Sequence, residues 1–324
     1  MYVFLAHESK TAIVTGNCVA VVGDDAALVV DTGQFPELAG RMIADLRAVT
    51  DKPVRYVVNT HWHNDHVFGN AVYRQAFPGA TLIAHEETAR LLAKHGAEQV
   101  HAYKTQVGPF VDALRSSLAS GKKKDGTPLG DFDRAYIAEE IADGDAAVAL
   151  WKDVELAPPT LTFKDEMTID LGHREVTLLH FGRGNTAGDA MAYVPDAKFL
   201  ATGDAVVAPI PFAMGSYLTE WTAVLEKTRA VDATTIVPGH GPIFHDFRYV
   251  DDLRVLLRSV VDQVRGAVSA GTPKEKILER IDASGFPARF ASRDPFQAIV
   301  FRRYFLEPGV DRAIQEANGK LEDE

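Results

Sequence analysis

The sequence predicts a layered α/β domain built on two sheets packed face to face. Three observations lead there. Short β-branched runs alternate with amphipathic stretches through the first part of the chain, the rhythm of sheets covered by helices. A hairpin pattern from Val19 to Gly33 is echoed from Met191 to Asp204, each with an Asp-containing turn and an acidic/Gly corner. Histidines and carboxylates also gather where strands end, at His61 to His66, Asp204 and His240, and strand ends meeting between two sheets make a natural site.

Taken in order, Ala12–Thr15, Val19–Val22 and Ala27–Val30 read as strands, the last two joined across Gly23-Asp24-Asp25. Pro36 to Val49 places Leu38, Met42, Ile43 and Leu46 on one helical face. Val54 to Val58 is a short buried strand. Asn64 is the expected N-cap of a helix opening at Asp65 and His66 and running toward Phe77, where Pro78 and Gly79 end it. Thr81–Ala84 is the next strand. From about 86 to 154 strand signals fade. Glu86–His95, Gln106–Ser120 and Phe132–Ile141 read as helices of an insertion beside the site mouth, with the polar glycine-rich stretch Gly121–Gly130 between them. Strands resume at Thr160–Phe163, Met167–Ile169 and Val176–Leu179, followed by the second hairpin. A helix over Thr219–Val231 precedes a strand, Thr234–Val237, that runs into Pro238-Gly239-His240-Gly241-Pro242. A helical extension from about 246 holds Val250–Ala270, Pro273–Ala283 and Pro295–Gln315, and ends in the acidic tail Glu322-Asp323-Glu324. No linker separates these parts, so residues 1–324 read as one domain.

Composition narrows the partners. At 46% hydrophobic residues the chain can bury a substantial core, and its net charge of -11 argues against nucleic acid. No window approaches a membrane span. A small-molecule substrate is the expected partner, and a homo-oligomer is compatible with the sequence. Cys18 is the only cysteine, which excludes internal disulfides and thiolate-rich zinc sites; its apolar surroundings mark it as a core residue. Met1 to Leu5 is apolar but too short for a signal peptide. A cytoplasmic chain is the default expectation, and a trimmed periplasmic or secreted one fits equally.

The chemistry centres on Thr60-His61-Trp62-His63-Asn64-Asp65-His66, three imidazoles and a carboxylate in seven positions. On an extended backbone His61 and His63, at i and i+2, point the same way. Asp65 and His66, across a bend, face a different point, so one pair suits one metal ion and the other pair a neighbouring ion. Asp204, after Gly203, and His240, between Gly239 and Gly241, lie at strand-to-turn corners where missing side chains let backbone approach an ion. Such donors match zinc, and a carboxylate can bridge two ions.

With these residues the chain resembles the metallo-β-lactamase fold superfamily. The resemblance rests on His61-x-His63-x-Asp65-His66, the Gly182-Arg183-Gly184-Asn185-Thr186-Ala187-Gly188-Asp189 turn, Gly203-Asp204 and Pro238-Gly239-His240-Gly241, in order from about Ala12 to Phe244. It implies an αβ/βα four-layer sandwich with one or two Zn²⁺ along one edge. His61 and His63 hold the first ion, Asp65, His66 and His240 the second, and Asp204 bridges. The family usually has His in a Gly-x-Gly-His-Thr turn where this chain has Asn185, a neutral and weaker donor, here taken as a ligand of the first ion either directly or through water. His180 stands five residues upstream as an alternative, more consistent with packing. Asp31, in the first corner, is expected to brace loops. The true β-lactamases generally carry Cys or Ser where this chain has Asp204; an aspartate there resembles the glyoxalase II, lactonase and esterase branches.

The implied activity is metal-assisted hydrolysis of a small ester, thioester, lactone or amide by zinc-bound hydroxide, with Asp65 as the catalytic residue orienting the nucleophile and relaying its proton. β-Lactamase activity, main or side, and a non-haem iron oxidoreductase of the same fold are the alternatives; a degenerate binding protein is a third. Gly-x-Ser-x-Gly is absent, against an α/β-hydrolase. The apolar run Val206–Tyr217 is expected to wall the substrate pocket together with Trp62, Phe68 and Tyr217, with packed core as the rival reading for each.

Overall fold

The structure, a computed structural model, describes residues 1–5, 15–290 and 294–321. Most of the expected strand Ala12–Thr15, and the acidic tail, lie outside the described residues. The first sheet runs in the order β1 (Tyr2–Phe4), β2 (Cys18–Val22), β3 (Ala27–Val30), β4 (Val54–Asn59), β5 (Thr81–His85), β6 (Leu161–Phe163). Its first two pairings are antiparallel and the remainder parallel. The second sheet contains β7 (Glu166–Asp170), β8 (Glu175–Leu179), β9 (Met191–Val194), β10 (Phe199–Val207) and β11 (Thr235–His240) in that spatial order, antiparallel except for β10 with β11. The echoed hairpins are β2–β3 and β9–β10.

Alternation along the strands builds the layers. Val19, Val21, Leu28, Val30, Val58 and Ile83 point inward and meet Ile169, Val176, Leu178, Val194, Phe199 and Val237 of the other sheet. The intervening residues Cys18, Ala20, Ala27, Val29 and Val57 face out and are covered by α1 (Pro36–Val49), through Met42, Ile43 and Leu46, and by Tyr73 of α3 (Asn70–Ala76). On the far side Leu200 and Ile236 meet α6 (Leu218–Arg229), α7 (Arg248–Ser269) and α10 (Glu307–Ala317). Helix, sheet, sheet, helix: the four-layer sandwich is present. Cys18 is a buried free thiol in the outer core of the first sheet.

Several elements differ from expectation. β1 is a three-residue edge strand pairing Tyr2 with Ala20, too short to leave a periodic signal. The helix expected from Asp65 to Phe77 is broken into α2 (Asn64–Val67) and α3, because the Gly69 amide donates to the Gly33 carbonyl and the His66 carbonyl accepts from the Thr32 amide. The approach is so close that any side chain at Gly69 would strike the Thr32 carbonyl. The helices expected at 86–95 and 106–120 form one 35-residue helix, α4 (Glu86–Ser120), which runs through Gly108 and Pro109. It packs against α5 (Asp131–Trp151), longer than the expected Phe132–Ile141; Gly144 lets the two approach at Val111. Tertiary packing here overrides two residues that read as breakers. Pro273–Ala283 holds only α8 (Lys274–Ile277) and short 3₁₀ turns, and Pro295–Gln315 divides into α9 (Pro295–Phe301), a π-helical turn (Arg302–Leu306) and α10.

Candidate metal centre

β4 delivers its own C-terminal end to the crevice between the sheets. His61 and His63 lie with ring centroids 4.6 Å apart, as the i, i+2 spacing requires. The chain then turns into α2, for which His63, not Asn64, is the N-cap. Asn64 is the first helical residue, and its Oδ1 accepts from the Tyr103 hydroxyl at 3.1 Å. From the other sheet, β10 carries Asp204 beside a register shift at Gly203, which has φ +51°. Such a bulge re-aims a side chain out of the ladder. β11 ends on His240.

Two triads result. Donor atoms of His61, His63 and Asp204 all lie within 4.8 Å of one another, and so do those of Asp65, His66 and His240. Asp204 spans both, with its carboxylate oxygens 3.7 Å from His61 Nε2, 3.2 Å from His66 Nε2 and 3.5 Å from His240 Nε2. Asp65 Oδ2 lies 2.9 Å from His240 Nε2. His61, His66, Asp204 and His240 are buried, whereas His63 and Asp65 are partly exposed and mark the open side.

The electrostatics suit a cation. Burial, reinforced by the neighbouring His66, pulls the pKa of His61 well below that of ordinary histidine, so its ring is neutral and has a lone pair to give. Burial raises the carboxyl pKa of Asp65, but His66 and His240 outweigh it and hold that group well below the usual range. Asp204 is lowered in the same way: burial opposes, and His240, His66 and His61 prevail. His61 and His63 thus offer neutral imidazole. At His66 and His240 burial is outweighed by the neighbouring carboxylates, which hold the pKa of those two rings above the ordinary value, positive charge that a bound cation would displace. Among the described residues, His61 Nε2 and Asn185 Oδ1 are buried acceptors without a hydrogen-bond partner. Such atoms are costly unless something positive meets them.

Surrounding residues hold the ligands in place. Asp31 accepts from the Thr60 amide and hydroxyl and faces His66 Nδ1, each at 2.8 Å, and it adopts a left-handed φ of 58°. Bracing is therefore its role. Asp189 accepts from the amides of Asn185 (2.6 Å) and Thr186 (3.0 Å), shaping the turn that presents Asn185. The Asn185 amide nitrogen donates to the Phe212 carbonyl at 2.5 Å, leaving its oxygen as the free end. His180 turns elsewhere: Nδ1 bonds the Asp189 carbonyl at 2.8 Å and the ring stacks on His85 at 3.8 Å. Asn17, which the sequence reading missed, donates through its amide side chain to the Pro238 and Gly241 carbonyls and so fixes the His240 loop. No motif marks it, because its partners lie more than 200 residues away.

The expected pocket wall needs correction. Phe68 and Tyr217 are 1% and 0% exposed; they pack inside, Phe68 with Trp151 and Val67, Tyr217 with Leu91 and Ala187. Val206 and Val207 belong to β10, not to a loop. Trp62 is partly exposed, 5.3 Å from the His63 ring. The partly exposed aromatics near the ligands also include Phe212, edge-on to His63 at 6.0 Å, and Tyr304, stacked on Phe212 at 5.6 Å.

A sandwich of this topology, with two His/Asp triads at one edge, has the form of a metal-dependent hydrolase-type fold. Residues 13–240 match the metallo-beta-lactamase superfamily, and the chain belongs to that family. It is 23% identical over 286 residues to the linear primary-alkylsulfatase of Pseudomonas sp. (strain ATCC 19151). That match takes in 84% of this chain and 50% of the relative, so the chain spans half the length of the curated relative it matches. Among solved structures, the stereoselective inverting sec-alkylsulfatase Pisa1 from Pseudomonas sp. superposes with a TM-score of 0.58 at 17% identity, over 93% of this chain and 47% of that one. A metallo-beta-lactamase from Pontibacter korlensis gives 0.54 at 18% identity, over 78% and 92%. At these identities the structural likenesses speak for the fold.

Proposed function

We propose that the protein is a zinc-dependent hydrolase that cleaves a small ester, thioester, lactone or amide. The observation that carries this reading is the convergence of the two triads on Asp204. His61, His63 and Asp204, with the Asn185 oxygen, would hold one ion; Asp65, His66, His240 and Asp204 would hold the other. Zinc held there supplies Lewis acidity and a water acidified to a pKa of about 7. Asp65, partly exposed and ionised, orients the attacking water and accepts its proton at Oδ2. The buried side chains around His61 and His66 keep bulk water from competing for the ligands.

A second reading is favoured by the sequence similarity to an alkylsulfatase: the scissile bond is that of a sulfate ester. One panel separates the readings. Purified protein, with and without chelator, is offered p-nitrophenyl esters, thioesters, lactones, a chromogenic cephalosporin and an alkyl sulfate, and its metals are analysed. Chelator-sensitive turnover of a carbonyl substrate supports the proposal; turnover of the alkyl sulfate alone moves it to the second reading. Iron with oxygen consumption, or no turnover with zinc bound, defeats both.

A further inference from the structure

Partly exposed aromatic residues from separate parts of the chain lie within ring-contact or hydrogen-bond distance of His63 and its neighbours. His63 and Asp65 are the partly exposed candidate ligands of the metal centre. Trp62 flanks them. Tyr103, from α4, reaches in to bond Asn64 beside the ligands at 3.1 Å. Burial, and then the Asp65 carboxylate, push the Tyr103 phenol pKa up. Phe212, in the segment after β10, sets its edge against His63, and Tyr304 lies nearly parallel to Phe212 with 26° between the planes.

Tyr304 sits on the π-helical turn Arg302–Leu306, an irregularity often found where a helix serves a site. The turn is locked to the Phe212 segment, because the Tyr304 carbonyl accepts from the Ala213 amide at 2.8 Å. α10 grips the same segment: Arg312 Nε donates to the Ser216 carbonyl at 2.7 Å. The C-terminal helices therefore hold an aromatic face in register with the metal ligands. At its outer end Arg303 lies 5.3 Å from the Tyr304 ring and pairs with Glu140 of α5 at 2.9 Å, so its charge is matched within the protein.

We propose that Trp62, Phe212 and Tyr304 form a subsite for an uncharged apolar substituent of the substrate, a medium-length alkyl or aryl group next to the scissile bond, with Tyr304 as the specificity-determining residue. This rests on the hydrolase reading for the bond cleaved, but the subsite can be tested by binding alone. Partly exposed rings offer flat apolar area at low entropic cost, and the neutralised Arg303–Glu140 pair selects against a charged tail. The C-terminal region, outside the 13–240 match, thus supplies part of the substrate pocket.

The test is calorimetric titration of the zinc-loaded full chain with octanoate and with acetate, which share a carboxylate and differ in the tail. Octanoate is expected to bind at least tenfold more tightly, and Tyr304→Ala to cut the octanoate-to-acetate affinity ratio by about tenfold, the scale of one lost ring face. Tyr304→Phe should keep the ratio. If Tyr304→Ala does not fold, Tyr304→Gln, of similar reach without a ring, gives the same reading. Equal affinities of the two acids for the wild type, or an unchanged ratio in the ring-less variants, overturn the subsite. A Tyr304-dependent ratio in a protein that turns over no substrate would leave the subsite standing and remove the hydrolase reading.

Discussion

Replacing Asp31 by Asn tests how the fold sets the protonation of a metal ligand. Asp31 is 1% exposed; its Oδ1 accepts from the Thr60 amide, and its Oδ2 faces both the Thr60 hydroxyl and His66 Nδ1. With a carboxylate there Nδ1 keeps a proton, so Nε2, which faces Asp65, Asp204 and His240, is the nitrogen that would give up its proton to a metal ion. In Asp31→Asn the amide oxygen keeps the Thr60 amide, and the new NH₂ faces His66. Nδ1 must then accept, the proton moves to Nε2, and that nitrogen can no longer ligate. Asn also tolerates the left-handed backbone at this position, so the change adds little strain. Loss of such an outer hydrogen bond lowers metal affinity by about 10- to 100-fold, or about 1.4–2.7 kcal/mol. The charged hydrogen bond itself contributes about 1.5–3 kcal/mol to stability. Competition for zinc against a chromophoric chelator measures the first quantity, and denaturant unfolding of the metal-free protein measures the second. Zinc affinity within twofold of wild type in a folded Asp31→Asn protein would refute the tautomer argument.

Three further outcomes follow. Asn185→His should tighten the position held by His61 and His63; unchanged zinc stoichiometry and affinity would mean that residue 185 does not reach the ion. Gly239→Ala drives a methyl into Asp204 Oδ1 and the Gly203 backbone, and should cost about 3 kcal/mol of stability together with bound zinc, read by thermal melts and metal analysis; a wild-type melting temperature would contradict it. His85, whose Nδ1 accepts the Glu87 amide to cap α4, has its pKa brought down to about 4, first by burial and then by His180. An unfolded histidine titrates near 6.5, so between about 6.5 and 4 the unfolded chain binds a proton that the folded one refuses, and stability falls as pH drops through that window. His85→Gln should flatten that slope in denaturant titrations, and equal slopes would refute the assignment.

Most strands of the two sheets and every residue of the two candidate triads were legible because each sits where a local signal is strong: an i, i+2 histidine pair after a β-branched run, an Asp after a Gly, a His between glycines. The failures share a cause. The joining of two expected helices into α4, the break at Gly69 and the burial of Phe68 and Tyr217 depend on partners distant in sequence, such as α5 for α4 and Thr32 for Gly69. Tyr304 left no trace at all. An aromatic residue in a helical tail reads as core until the fold lays it over Phe212.

The two triads are unequal for a reason internal to the chain. His66 and His240 face each other at 3.3 Å with Asp65 and Asp204 beside them, so carboxylates already offset any positive charge on that half. On the other half His61 is neutral, His63 is partly exposed, and Asn185 has its amide nitrogen committed to the carbonyl of Phe212, the residue whose ring lies against His63. That amide cannot supply charge. An ion held by His61 and His63 would have Asp204 as its nearest carboxylate, which the other triad also faces, so two ions would compete for one carboxylate. If Asn185 is the remaining donor of that position, an uncharged amide there would make it the weaker of the two, which is why Asn185→His is expected to tighten it.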